Sequence, residues 1–304
     1  MSSEITLFVN PTAGRGRGAH AAQPAASALR AAGFSVRTVV GADGPDALAR
    51  LRAAVREGTG AVIAVGGDGM VSLALQALAG TLVPLGVVAV GTGNDFARAM
   101  GLPVREPARA GALAAEALKE GRLREIDLGR VWTSPHAEPG GGSWYGTVLC
   151  SGFDSKVNDR GNRMRLPAGR FKYDLAMIAE LAAFRPFPYR ITLDDGPAIE
   201  TEATLVAVGN GSSYGGGMRI CADAVPDDGL FDITVVGDCS RATLLKVFPQ
   251  VYKGTHLSHP KVTVHRARKV TLEAAGITAY ADGEPLGPLP VTAECVPGAV
   301  RIVG

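Results

Sequence analysis

The first third of the chain alternates short apolar runs with longer amphipathic stretches. Residues 5–9, 61–65 and 85–90 are apolar runs, the first, third and fourth strands, and 36–40 reads as the second strand between them. Asn10-Pro11 stops the first of them. Residues 19–32 read as a helix closed by Gly33, and 45–57 as a helix with Leu48, Leu51 and Val55 on one face. Residues 71–78 form a third helix. The run 61–65 carries no polar position, as in a strand buried on both faces. This βαβα rhythm predicts an open parallel sheet with helices on both sides, and ligands at the carboxyl ends of its strands.

The rhythm changes after about Asp127. Short strand-like runs follow at 145–149, 189–193, 203–208, 231–236, 262–265, 270–273, 277–281 and 291–295, separated by Gly, Pro and Asp turns. One helical stretch, 173–184, interrupts them, and 134–143 reads as a hairpin tip. The expected fold is an α/β domain with a parallel sheet over 1–126, then a mainly antiparallel β-sandwich-like domain over 127–304. The boundary falls in 121–127, and the C-terminal end is open to packing back on the first domain.

Composition narrows the functions. A length of 304 residues suits two domains, and 46% apolar residues suffice for ordinary cores. The net charge is +2, so no global field points to nucleic acid, and anionic partners must be met by local patches. Cys150, Cys221, Cys239 and Cys295 form no CxxC pair and suit a reducing cytosol better than a zinc or redox site. No signal peptide or bilayer-spanning run is expected.

Glycine-rich turns follow the first, third and fourth strands. Asn10-Pro11-Thr12-Ala13-Gly14-Arg15-Gly16-Arg17-Gly18 lets backbone approach a ligand and offers a helix N-terminus to an anion, with Arg15 and Arg17 as added charge; it also reads as a plain turn. Gly66-Gly67-Asp68-Gly69 places one carboxylate among glycines, which suits orienting a metal, a water or a ribose hydroxyl, or simply capping a helix. In Gly91-Thr92-Gly93-Asn94-Asp95-Phe96-Ala97-Arg98, Thr92 and Asn94 can bond phosphate or ribose oxygens and Asp95 a water on Mg²⁺, or Asn94 and Asp95 can cap. The three turns can meet in one crevice. Neither a GxxxxGK[ST] loop nor a dinucleotide GxGxxG is present. Further on, Gly209–Met218, Val225-Pro226-Asp227-Asp228-Gly229-Leu230 and Ala281-Asp282-Gly283-Glu284 read as turns, of which the second can also hold a hard cation.

In this order, NPTAG, GGDG, GTGNDFAR, IDLG, GNG-x-x-x-GGGM, DDGLFD and DGE resemble the diacylglycerol kinase catalytic-domain family, which includes bacterial lipid kinases and sphingosine kinases, from Asn10 to about Arg301. The resemblance implies an NAD kinase-like fold with the active site between a nucleotide-binding domain and a lipid-substrate domain. It also implies ATP and Mg²⁺. Asn10, Thr12, Gly66, Gly67, Gly69 and Thr92 would line the nucleotide site, with Asn94 beside them. Asp68, Asp95 and Asp127 would form an acidic network around Mg²⁺ and its waters. Asp282 would be the general base, with Glu284 next to it, and Asp228 with the carbonyls of Val225 and Leu230 would hold a structural cation. The chain departs from the pattern at Met70 for Thr, Ser72 for Asn and Ala89 for Pro, and Met70 removes a hydroxyl that could touch phosphate.

The expected reaction is transfer of the ATP γ-phosphate to a lipid hydroxyl, with diacylglycerol first among acceptors. The alternatives are a kinase of another lipid or of a soluble alcohol such as NAD, and a catalytically silent nucleotide- or lipid-binding regulator. The expected location is cytoplasmic, peripheral to the inner face of the membrane, with a lipid at its surface, no nucleic acid, and a homodimer as a candidate assembly. The basic segment 161–172, with Arg163, Arg165, Arg170 and Lys172, suits an anionic surface or a solvated loop. The apolar residues of 173–187 suit acyl chains or core.

Overall fold

The computed structural model describes residues 3–133, 141–153, 155–156 and 186–304. The helix expected over 173–184, the basic segment 161–172, most of the hairpin tip 134–143 and the side chains of Arg15 and Arg17 lie outside the described residues.

The first half contains β1 (Glu4–Val9), α1 (Ala13–Ala31), β2 (Ser35–Val39), α2 (Gly44–Arg56), β3 (Ala61–Gly66), α3 (Asp68–Leu78), β4 (Leu85–Ala89), α4 (Asp95–Ala99) and α5 (Pro107–Glu120). Its strands run parallel in the order β2-β1-β3-β4. Side chains alternate across the pleat. Ile5, Leu7, Val9, Ile63 and Val65 face α1 and α5, while Phe8, Val62, Ala64 and Val87 face α2 and α3. Both faces are covered, which is why the run 61–65 tolerates no polar residue. The α5 helix was not legible from periodicity, because its buried stripe is mostly alanine: Ala110, Ala114, Ala115 and Ala117.

Next come β5 (Leu123–Trp132), β6 (Ser143–Tyr145), β7 (Val148–Gly152), β8 (Phe187–Leu193), β9 (Ile199–Gly209), β10 (Phe231–Gly237) and α6 (Arg241–Lys253). A short 3₁₀ turn (Thr255–Ser258), β11 (Val262–Ala267), β12 (Lys269–Glu273), β13 (Thr278–Ala281), β14 (Glu284–Pro288) and β15 (Val291–Val303) follow. Apart from one pair to β4, the pairings of these strands are antiparallel.

Two features join the halves. The thirteen-residue β15 pairs along its length with β5, and its Ile302 also pairs in parallel with Leu85 of β4. Ala299, Val300 and Ile302 thereby enter the same core as α2 and α3. The Gln76 side chain on α3 donates to the Trp144 carbonyl (2.7 Å) and accepts from the Trp144 N–H (3.0 Å) on β6.

The run expected as one strand at 145–149 is two strands, β6 and β7, broken at Gly146-Thr147. The break has a cause at the site: both N–H groups leave the ladder and point at Asp282. Among the described residues, no helix is long and apolar enough to cross a membrane.

Candidate active site between the two halves

A cleft of about 500 Å³ is lined by Asn10 with Ala13 and Gly14 at the start of α1, by Gly67 with Gly69, Met70, Ser72 and Leu73 at the start of α3, and by Gly91 of the third turn. Gly44 at the start of α2 and Glu284 at the start of β14 complete its wall. The three turns therefore meet, and the second half supplies an acid beside them. Gly44 carried no sequence signal beyond an ordinary Gly-Pro helix start.

Close backbone packing builds this wall. A Cβ on Gly91 would lie 2.4 Å from the Gly67 Cα, so the second and third turns can touch only as glycines. A Cβ on Gly93 would lie 2.8 Å from Asp68 Oδ2 and 3.0 Å from Asp95 Oδ2, so that glycine separates two carboxylates that both border the turn. The Asn10 side chain accepts from the Thr12 N–H (3.0 Å) and hydroxyl (2.8 Å), folding the first turn over the start of α1. Thr92 is exposed and does not line the cleft, and its carbonyl accepts from Arg105 at 3.0 Å. Asn94, in the left-handed region at φ 60°, is committed to the turn itself: its side chain accepts from the Gly91 N–H (2.8 Å) and donates to the Gly91 carbonyl (3.0 Å). Those bonds engage both ends of its amide, so the sequence reading of Asn94 as a phosphate or ribose ligand gives way to a turn-closing role.

Four of the five aspartates singled out from the sequence each accept two main-chain N–H groups from elsewhere in the chain. Asp68 takes those of Asn94 (2.7 Å) and Phe96 (3.2 Å). Asp95 takes those of Gly216 (2.7 Å) and Gly217 (2.7 Å), clasping the triple-glycine turn of the second half. Asp282, at φ 49°, takes those of Gly146 (2.7 Å) and Thr147 (2.9 Å), and the Thr147 hydroxyl as well. Asp127 takes those of Gly229 (2.7 Å) and Gly298 (2.9 Å). Charged acceptors make the stronger class of hydrogen bond, so these carboxylates lock the turns to one another.

Electrostatics separates the four. Burial pushes the Asp95 carboxyl up from its ordinary value against the pull of the Gly216 N–H, and the charge on Asp68 adds to the rise. Burial likewise raises Asp282, opposed by the bonds from Thr147 and Gly146, and Asp68 again adds to the rise. Asp68 thus stands electrostatically between Asp95 and Asp282. Asp127 has other neighbours: the turn after Val225, the bend of β15, and Asn210, whose side chain donates to the Asp127 carbonyl (2.8 Å) and the Gly146 carbonyl (3.1 Å). Of the acids implied around Mg²⁺, Asp68 borders Asp95, whereas Asp127 is buried between the turn after Val225 and the bend of β15. Gly146, Thr147 and Asn210 were missed as site residues. The signal available was a Gly-Thr pair interrupting an apolar run.

Asp228 accepts from the Leu230 N–H (3.1 Å) and forms an ion pair with the Arg266 guanidinium. Val225 is exposed, and the carbonyl of its neighbour Pro226 accepts from the Asp127 N–H at 2.7 Å. Positive charge already stands at Asp228, so Val225, Asp228 and Leu230 do not fit a cation here without displacing Arg266.

Met70 is buried in the core with Phe96 and Leu75, and a Cβ on Gly66 would lie 2.5 Å from its Cγ. It is a packing residue as well as a cleft wall. Met70→Thr is expected to destabilise the fold by about 1–3 kcal/mol through the lost side-chain volume. Unchanged stability in urea unfolding would show that the methionine packs against nothing of consequence.

His256 in the 3₁₀ turn is fully buried; its Nε2 bonds the Ile220 carbonyl at 3.0 Å, and its Nδ1 has no partner. Burial pulls its pKa below the ordinary 6.5. The unfolded chain then takes up the proton first, so this contribution to stability is whole above about pH 6.5 and is lost as pH falls from there toward the folded value. The urea midpoint is expected to drop between about pH 7 and about pH 5. His256→Gln, which keeps a donor for Ile220, should flatten that drop; an equal drop in the variant would assign it to other groups.

Comparison with known proteins agrees with this architecture. Residues 4–131 match the diacylglycerol kinase catalytic domain, and residues 147–304 the YegS C-terminal NAD kinase beta sandwich-like domain. The chain is 45% identical over 300 residues to the diacylglycerol kinase of Mycobacterium tuberculosis, covering 99% of this chain and 94% of that protein. Its fold is that of a diacylglycerol kinase structure from Bacillus anthracis (TM-score 0.71, 24% identity, 99% and 96% of the two chains). An NAD kinase from Archaeoglobus fulgidus in complex with ATP shares it more distantly (TM-score 0.55, 11% identity, 100% and 94%). The chain belongs to the diacylglycerol kinase catalytic-domain family, with a YegS-type NAD kinase-like β-sandwich as its second half.

Proposed function

We propose that this protein transfers the γ-phosphate of ATP to the hydroxyl group of a lipid, with diacylglycerol as the first acceptor to test. The observation that carries this reading is the meeting of three glycine turns with the Asp282–Glu284 hairpin at one cleft. The identity to the mycobacterial diacylglycerol kinase supports the acceptor class.

The chain's own groups divide the work. The turns at Asn10–Gly14, Gly67–Gly69 and Gly91 present backbone to the nucleotide at the cleft wall. Phosphoryl transfer depends on positioning and charge neutralisation more than on covalent chemistry. Asp282, held by Gly146 and Thr147, is the group suited to take the proton of the acceptor hydroxyl. Its raised pKa makes it a better base than a solvated carboxylate.

The residues also fit a Mg²⁺ ion carried by the nucleotide. Among the described residues, no three His, Cys, Asp or Glu side chains are arranged to hold a metal directly. Yet Asp68 and Asp95 keep lone pairs beyond the N–H bonds they accept, which suits hydrogen bonds from water on the ion. When bound, the ion would supply charge neutralisation at the phosphates.

The test is incubation of the purified protein with labelled MgATP and dispersed diacylglycerol, with NAD and sphingoid base in parallel. Labelled phosphatidic acid is the expected product. Label in NADP or in a sphingoid phosphate alone would replace the acceptor, and nucleotide binding without any labelled product would make the protein a regulator.

A further inference from the structure

Helix α6 presents an apolar stripe to solvent. Ala242, Leu245, Pro249 and Tyr252 lie three or four residues apart and are all exposed, Leu245 by 58% and Tyr252 by 40%. Such spacing puts them on one face. Phe248 flanks the stripe and meets the Tyr252 ring edge-on, with centroids 5.8 Å apart. The opposite face is occupied: Val247 and Val251 are buried, and Leu244 packs on the cluster of Ile220, Cys221 and Val236. The stripe is therefore surplus to what folding this half requires.

Its borders are cationic. Arg241 lies on one side of the stripe, Lys246 and Lys253 on the other, and all three are exposed. The helix RATLLKVFPQVYK holds no acidic residue. Lys261, two residues beyond His259, is exposed as well, and Asp238 before the helix is the acidic neighbour in sequence. An apolar ridge between like positive charges is the pattern of a helix lying in a membrane interface, where the ridge enters the acyl boundary and the cations meet anionic headgroups. A second protein copy would instead have to bring its own acidic rim, since α6 repels itself.

The position suits the site. The Arg219 N–H donates to the Val251 carbonyl at 3.0 Å, and Tyr214 and Met218 pack with Leu244 and Val251. Tyr214 and Met218 are also the two ends of the triple-glycine turn that Asp95 holds. One helix thickness, about 10 Å, thus stands between the exposed stripe and that turn.

We propose that α6 is a docking surface for a bilayer bearing anionic headgroups, seating the protein in the interface beside its cleft. The proposal rests on the lipid-kinase reading for its purpose, but not for its test. Binding of the full chain to phosphatidylcholine vesicles with and without phosphatidylglycerol is measured by flotation. Wild type should bind the anionic vesicles and release with salt. Arg241→Gln with Lys246→Gln and Lys253→Gln should weaken that binding by about a hundredfold. Leu245→Ser with Tyr252→Ser should weaken it on both vesicle types while leaving urea stability unchanged, because neither side chain is in the core. Phosphorylation of a short-chain acceptor in detergent should survive in both variants. Unchanged vesicle binding in both variants overturns the proposal, whatever the kinase assay gives. So does a change of oligomeric state by light scattering without a change in vesicle binding, which would make the stripe a contact between copies. Vesicle binding lost as expected, in a protein that phosphorylates no lipid at all, keeps the docking surface and removes the lipid-kinase reading.

Discussion

Asp282→Asn is expected to lower turnover at saturating ATP by about 10²–10⁴-fold while leaving ATP affinity nearly unchanged, which is what loss of a general base does. Asn tolerates the left-handed φ of 49° at this position, so the hairpin survives. The substitution is not silent, however. Both oxygens of Asp282 accept backbone N–H groups, and Asn offers one acceptor oxygen and a donor in place of the other. A local cost of about 1–3 kcal/mol follows from that mismatch. The pH dependence separates the two effects. Catalysis needs the ionised form, and burial raises the pKa of Asp282 above 3.8, so wild-type kcat is expected to fall on acidification at a pH above that value. Thr147→Val removes a hydroxyl bond that lowers the pKa, so it should move this acid limb upward. A merely structural Thr147 would leave the limb where it is. Retained turnover in Asp282→Asn would return the residue to a hairpin pin, and loss of ATP affinity together with turnover would make it a support of the cleft.

Asp127→Ala is expected to produce the largest loss of stability. The residue is 3% exposed, and its carboxylate accepts the N–H groups of Gly229 and Gly298. Alanine leaves both donors without a partner, at about 1–3 kcal/mol each, or roughly 2–6 kcal/mol in all. The loss of a buried charge offsets part of this. Turnover of the molecules that remain folded should change far less than in Asp282→Asn, because Asp127 holds the turn after Val225 and the bend of β15 rather than the cleft wall. Equilibrium unfolding in urea, with kcat at low temperature, tests this. Near-wild-type stability with abolished turnover would restore Asp127 to the acidic network implied by the family pattern.

The sequence by itself determined the strands of the first half and the helices α1, α2 and α3, with α1 starting at Ala13 rather than at residue 19. Strands 5–9, 61–65 and 85–90 and their helices were legible because each was patterned by its own burial: β3 enclosed on both faces, α2 amphipathic about Leu51. The seven motifs in order pointed to the family. It also located the three glycine turns at strand ends, where parallel sheets place ligands. Where periodicity is weak, tertiary packing took over. The alanine stripe of α5 and the amphipathic α6 were passed over, the first because alanine marks a face only weakly.

Only the tertiary structure decided the partners of each carboxylate. Asp68, Asp95, Asp127 and Asp282 are all acids of short motifs, but their N–H donors come from segments between 26 and 171 residues away. No local signal distinguishes their roles, since the donors that hold each carboxylate are remote in sequence. The same distance effect gave Asp228 to Arg266, 38 residues on. Long-range pairing also broke the run at Gly146-Thr147, whose N–H groups serve a carboxylate at the far end of the chain rather than a neighbouring strand. A sequence carries the pattern of its own burial; which distant donors a buried charge will find is settled only as the chain folds back on itself, within one half for Asp68, Asp127 and Asp282 and between the halves for Asp95.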